Sequence, residues 1–288
     1  MSTTIPSRGD TPEMIENMAF SGQKTLILAV ETSSRIGSAA LAIGNRVIEE
    51  LSFSSPMQHS AEIFPAIQTL LTRQGRVPQD IEQIHIAIGP GSFTGLRIAV
   101  AMAKTMHLSQ GTRIVAVDSL DVVAANLGTG VPNPADQADP QIPEFPNRIA
   151  ALFDAKRGQF YVSVYDRVPV EADVTRSPGD EFPNYRIPGP GSDIWRKIHP
   201  DSLLTAREIV EGFGGEAPLG VIGDGLLYHR EEFVQEGILV LPESQWSPCA
   251  ANVHRLGWQK AQLGRFADPL ALTPFYLRGP QVTLKRKP

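Results

Sequence analysis

The sequence predicts an α/β protein whose sheet mixes antiparallel and parallel strands. Three observations carry that expectation. Short apolar runs follow one another through tight turns near the start, apolar runs then alternate with stretches of helical period, and a glycine-rich turn joins one such strand to one such helix. Consecutive strands joined by tight turns pair antiparallel, whereas strand, helix and strand in succession require a parallel crossover.

Residues 1–23 hold scattered apolar side chains among Pro6, Gly9, Pro12 and Gly22, and read as a mobile tail. From Lys24 the texture changes. Residues 25–30, 38–43 and 46–53 read as three neighbouring strands, turned at 34–37 and 44–45. Over 60–74 the residues Ile63, Phe64, Ile67, Leu70 and Leu71 recur at helical spacing, and Gly75 closes the helix. Residues 84–88 form a buried strand that runs into the turn 89–95. A second helix spans 93–108, a strand 113–117, and a third helix begins over 119–127. Eleven of the 24 prolines fall between Val131 and Pro200, which places loops or linkers there. Residues 128–147 thus separate an opening lobe, 24–127, from a second lobe, 148–288, that starts with a hairpin of 148–154 and 159–166. A strand over 220–225 enters a glycine turn. Ser247 and Pro248 start a helix over 250–263, and residues 248–288 either complete the second lobe or pack back on the first. Residues 284–287 make a basic tail.

A chain of 288 residues is long enough for two lobes at about 150 residues each. With 26 basic and 31 acidic residues the net charge is −5, which excludes a surface that attracts polyanions as a whole. The one cysteine, Cys249, closes no disulfide within the chain, and no paired-cysteine or helical histidine spacing offers a metal centre. A reducing, cytoplasmic setting follows, with neither an export signal nor an apolar run near the roughly 18 residues that span a bilayer.

The segment Gly89-Pro90-Gly91-Ser92-Phe93-Thr94-Gly95 is the most informative. A glycine turn at a helix start presents backbone N–H groups at the positive end of the dipole, which suits a phosphate facing Gly89, Gly91, Ser92, Thr94 and Gly95. Leu96 stands where a Walker loop needs lysine, and Thr94 stands where a dinucleotide loop needs its third glycine. The alternative is a tight connection in which glycine supplies unusual dihedrals. Glu31 and Thr32 end the first strand, either orienting a phosphate or metal-bound water or sitting as solvated loop residues. Ser92 lacks the Gly-x-Ser-x-Gly elbow of a hydrolase, and no catalytic set is assigned.

On the second helix, Leu96, Ile98, Ala99, Val100, Met102, Ala103 and Met106 cover an apolar arc of roughly 200°, about twice what one sheet contact needs. Either a neighbouring helix of the same chain covers the excess, or a second protein docks there. The second reading puts a partner on Ile98, Ala99, Met102, Ala103 and Met106, with Glu62, Thr69 and Arg73 of the first helix beside them. If Met102 faces that partner, Met102→Arg keeps the melting temperature and loses the partner; if it faces the sheet, the chain melts early.

Taken in order, these motifs resemble the TsaB family, the dimerisation subunit of the bacterial tRNA threonylcarbamoyladenosine machinery, formerly grouped with M22 glycoprotease-like proteins. The glycine loop with Leu96 and Arg97 carries the resemblance, supported by 26–41, 59–71, 117–120, the turn Asp154-Ala155-Lys156-Arg157-Gly158 and the terminal Pro274-Phe275-Tyr276-Leu277-Arg278. Glu31, Asp118 and Lys156 depart from it, where the family has Asp, Ser and Arg. The resemblance implies an actin-like ATPase-type (ASKHA) fold of two related lobes, the second reduced. It implies a subunit without catalysis or metal of its own, which binds TsaD, the threonylcarbamoyl transferase, with the ATPase TsaE joining the pair. It leaves open a homodimer when TsaD is absent and an ATP or ADP at the subunit interface. tRNA is reached through the complex, with Arg278, Lys285, Arg286 and Lys287 at most an auxiliary contact. The rival is an enzyme in its own right, an actin-fold phosphotransferase or a peptidase.

Overall fold

Strands β1 (Leu26–Glu31), β2 (Ser38–Ile43) and β3 (Arg46–Ser52) form an antiparallel meander, and β4 (Gln83–Gly89) and β5 (Arg113–Asp118) add to it in parallel, giving the order β3-β2-β1-β4-β5. This computed structural model describes residues 24–53, 59–128, 146–171 and 185–278. The expectations for 1–23, for most of 128–147 and for 284–287 lie outside the described residues. Helix α1 (His59–Arg73) makes the crossover from β3 to β4, and α2 (Phe93–Gln110) the one from β4 to β5. Gly75 (φ +60°) and Gly111 (φ +78°) follow the two helices in left-handed backbone, the conformation that glycine adopts without penalty.

The second sheet repeats the plan. Strands β6 (Arg148–Asp154), β7 (Phe160–Pro169) and β9 (Asp193–Leu204) are antiparallel neighbours, and β10 (Leu219–Ile222) and β11 (Ile238–Val240) continue in parallel from β6. The two-residue β8 (Ile187–Pro188) extends the far edge. The order β9-β7-β6-β10-β11 matches β3-β2-β1-β4-β5 strand for strand. Helix α4 (Ala206–Phe213) stands where α1 stands in the first half, but the counterpart of α2 has shrunk to the 3₁₀ turns Asp224–Leu227 and Arg230–Phe233. That loss is the reduction of the second lobe.

The two halves exchange helices. α3 (Ser119–Ala124), which follows β5, packs on β6 and β7, while α5 (Ala250–Gln262), which follows β11, packs on β1, β2, β4 and β5. One core therefore runs from the small residues on the inner face of the first sheet, such as Ala29, Ala40 and Ala87, to Ala150, Leu152 and Val164 of the second. Gly257 of α5 lies so close to β4 that a Cβ would come within 2.5 Å of His85 Nδ1. The opposite face of the first sheet, with Leu28, Leu41, Ile84 and Ile86, forms a second core under α1 and α2. This second core corrects the docking expectation for α2. Ala99 and Ala103 are fully buried and Met102 is 7% exposed, so these three face their own sheet and α1.

Candidate functional site

A cavity of about 460 Å³ opens between the ends of the two sheets. Gly91, Ser92 and Thr94 line one wall, and Asp154, Lys156 and Tyr161 the other. Of the residues expected to face a phosphate, these first three reach the cavity; Glu31, Thr32, Gly89 and Gly95 do not line it. The loop's glycines answer to backbone packing. A Cβ on Gly89 (φ +124°) would sit 2.4 Å from the Phe275 carbonyl, and one on Gly91 (φ +153°) 2.2 Å from that of Ser33. The loop is also closed by its own hydrogen bonds: Ser92 N–H donates to Ser33 O at 2.6 Å, Gly95 N–H to Ser92 Oγ at 3.4 Å, and Thr32 Oγ1 to Gly95 O at 2.8 Å. Two of the loop's N–H groups, those of Ser92 and Gly95, are thereby taken from a phosphate cradle.

Glu31 is not a solvated loop acid. Its side chain is fully buried, one carboxyl oxygen accepts from Ser33 N at 2.5 Å and Ser33 Oγ at 2.6 Å, and the other has no partner among the described residues. Burial pushes its carboxyl up to about 7, against the lowering by Ser33. The strand order that pairs β6 with β1 gives it a counterpart in Asp154, at the end of β6; another acid of the cleft, Asp224, is one that the sequence analysis missed. Asp224 follows β10 and accepts from Arg35 N–H at 3.1 Å, with its carboxyl pushed up to about 6, mainly by burial. The signal was present in Gly223-Asp224-Gly225, an acid between glycines just after a buried strand, but only its place in the lining of the cavity singles it out. On the hairpin turn, Asp154 accepts from both the backbone N–H and the Nζ of Lys156, at 2.6 and 2.5 Å.

A second concavity, of about 650 Å³, lies between α1 and α2. Phe64, Ile67 and Leu71 of α1 face Ile98, Met102 and Met106 of α2 across it, with Ala101 and Thr105 on its rim. Phe64 is 60% exposed, high for so large an apolar side chain. The structure redraws the surface expected here. Met102 belongs to its floor, while Ala99 and Ala103 lie beneath it and offer nothing to a partner. Glu62, Thr69 and Arg73 do not line it; Thr69 Oγ1 donates to Pro65 O at 2.8 Å, and Arg73 pairs with Glu49. Phe64 shares the helical spacing of Ile63 and Leu70, yet at about 100° per residue it stands well round from Ile63, which is fully buried.

Among the described residues, no group of three or more His, Cys, Asp or Glu is placed to hold a metal ion, and no helix is long and apolar enough to cross a membrane.

Two sheets of one strand order, with exchanged helices and a cleft between their ends, define an actin-like, ASKHA-type α/β protein. A solved structure, YeaZ from Pseudomonas aeruginosa, shares this fold with a TM-score of 0.63 at 22% identity, over 88% of this chain and 100% of that one. A family model described as TsaD, tRNA N6-adenosine threonylcarbamoyltransferase, matches residues 54–181. Two proteins named tRNA threonylcarbamoyladenosine biosynthesis protein TsaB are similar in sequence. That of Bacillus subtilis is 38% identical over 139 residues, 48% of this chain and 54% of that protein. That of Haemophilus influenzae is 24% identical over 272 residues, 92% of this chain and 98% of that protein. The chain matches about half the length of the Bacillus subtilis protein, and likewise 55% of its Escherichia coli namesake at 30% identity. These relatives, with the shared fold, support the TsaB family for this chain.

Proposed function

We propose that this chain is a non-catalytic subunit of tRNA threonylcarbamoyladenosine biosynthesis and that it binds TsaD through the groove between α1 and α2. The observation that carries the proposal is the groove itself: a largely apolar trough between two helices, with Phe64 left 60% exposed at its edge. A helix of a partner laid into such a trough buries apolar side chains at helical spacing from both proteins. The names of the sequence relatives supply the pathway. Support for a scaffold over an enzyme comes from the cleft, where the glycine loop lacks a lysine after Gly95 and the N–H groups of Gly89, Ser92 and Gly95 are spent on bonds within the protein. Glu31 is sealed beneath the cavity, and the acids that line it are engaged, Asp154 by Lys156 and Asp224 by Arg35 N–H.

In this reading TsaE joins the assembled pair, a second copy of the chain takes the groove when TsaD is absent, and tRNA is met only by the complex, in the cytoplasm. An ATP or ADP between the subunits would rest on TsaD's residues more than on this loop. Mixing the purified chain with TsaD and separating by size tests the proposal. It requires one species holding both proteins, with no ATP or peptide turnover by the chain alone. Separate elution, or turnover lost on changing Ser92, overturns it.

A further inference from the structure

The last described residues, 274–278, touch both walls of the cleft. On the first-sheet side, Phe275 N–H donates to Ile88 O at 2.7 Å, and the Phe275 carbonyl fills the space that the missing Cβ of Gly89 leaves. Tyr276 packs its ring 5.0 Å from that of Phe93, a lining residue of the cavity, and its hydroxyl accepts from Arg97 Nε at 3.1 Å. Two residues on, Arg278 crosses to the second sheet. Its Nη1 donates to Ala155 O at 2.5 Å and to Lys156 O at 3.4 Å, and its Nη2 donates to Gln159 Oε1. Among the described residues it makes no ion pair with a carboxylate.

The turn it holds is strained. Lys156 (φ +65°), Arg157 (φ +61°) and Gly158 (φ +69°) are three consecutive residues in left-handed backbone, and the first two carry side chains that disfavour it. Such a conformation persists only where surrounding contacts impose it. Asp154 supplies one such contact, through Lys156 N–H, and Arg278 supplies others from the opposite lobe.

We infer that residues 274–278 are a strap that holds the cleft closed, with Arg278 as its latch onto the 154–159 turn. The two ends of the strap differ in how easily they release. Phe275 is tied by its backbone to β4, three residues after the buried Leu272, whereas Arg278 is partly exposed and holds on through neutral oxygens alone. Opening therefore starts at Arg278: the strap stays on the first sheet, the turn relaxes, and Asp154, Lys156 and Tyr161 swing away from Ser92 and Thr94. A ligand of the cleft, or a partner that pulls on the strap, would act first on this side chain, with the bond from Arg35 N–H to Asp224 as a second tie across the cleft.

Hydrogen exchange on the full chain tests the inference, with Arg278→Ala compared against the parent. Exchange of amides 155–161 should rise by about tenfold, the scale of a local opening made about 1.4 kcal/mol easier, and amides 92–96 across the cleft should rise with them. Amides of β1 should not change. Arg278→Lys, which keeps the charge but not the forked donors, should lie between. A rise confined to 155–159 would make Arg278 a local turn contact and overturn the strap, as would no rise at all. If Arg278→Ala does not fold, Gln159→Ala removes one latch partner from the other side; it should raise exchange on both walls to a smaller degree, and an unchanged 92–96 overturns the inference in that case.

Discussion

Arginine placed at Phe64 and at Met102 separates the docking surface from the core beneath it. Phe64 is 60% exposed and Met102 is 7% exposed, on facing sides of the same groove. A phenylalanine presents about 200 Å² of side-chain surface, so docking would cover about 120 Å² more at Phe64. At about 25 cal/mol per Å² this is about 3 kcal/mol, or about a hundredfold in Kd. The free chain should hardly notice the change, since substitution at an exposed site stays within about 0.5 kcal/mol. Met102→Arg forces a charge into the core of Leu28, Leu70 and Ile84 and should cost several kcal/mol in the isolated protein. Calorimetric titration of TsaD into each variant, alongside thermal melts, gives both numbers. The account requires Phe64→Arg to melt normally and bind weakly, and Met102→Arg to melt early. A normally folded Phe64→Arg that binds TsaD as tightly as the parent refutes the groove, and an unaltered melt for Met102→Arg refutes its place in the core.

Two further changes probe buried charge. Lys197, 6% exposed, lies 2.7 Å from Asp121 and 2.8 Å from Asp201; burial pulls its pKa down, but these carboxylates outweigh it and hold the amine well above its ordinary value. Lys197→Met leaves the acids uncompensated at about 3–5 kcal/mol, which should lower the melting temperature by roughly 10 °C at pH 7 and by less in acid, because burial, no longer opposed by Lys197, favours the protonated form of Asp121. Glu31→Gln reads the other sign. Because the folded carboxyl titrates near 7 and the unfolded one near 4.5, the native state holds a proton that the unfolded state has lost, and stability falls as pH rises through that window. The glutamine variant lacks this fall, so its melting temperature relative to the parent should climb between pH 4.5 and 7.5 by the equivalent of about 3 kcal/mol. A pH-independent difference between the two would place Glu31 in water.

The first sheet was legible because its strands are short apolar runs, or in β3 a partly alternating one, bounded by turn residues, and α1, α2 and α5 because their apolar spacing is helical over several turns. β9 was not: its twelve residues Asp193–Leu204 interleave charges with a proline and show no apolar run. Its order comes from pairing along the whole of β7, a tertiary effect that local pattern does not record. α4 carried a readable start, the capping box of Thr205 and Glu208, which the search for longer periodic stretches passed over. At the cleft, the glycine loop was visible, but the reason for its glycines was not, since the Ser33 and Phe275 carbonyls that crowd it come from distant segments. The arc on α2 was read correctly as too wide for one sheet. What the sequence left open was that α1 covers part of the excess while Ile98 and Met106 stay at the groove.

The central claim, a subunit that serves tRNA threonylcarbamoyladenosine formation by binding TsaD, meets its most direct test in the tRNA itself. Cells depleted of this chain and supplied with the parent, with Phe64→Arg or with Ser92→Ala should be compared by mass spectrometry of the nucleosides from digested tRNA. The account predicts loss of threonylcarbamoyladenosine on depletion, recovery with the parent and with Ser92→Ala, and little recovery with Phe64→Arg. Unchanged modification after complete depletion, or full recovery with Phe64→Arg, would contradict it.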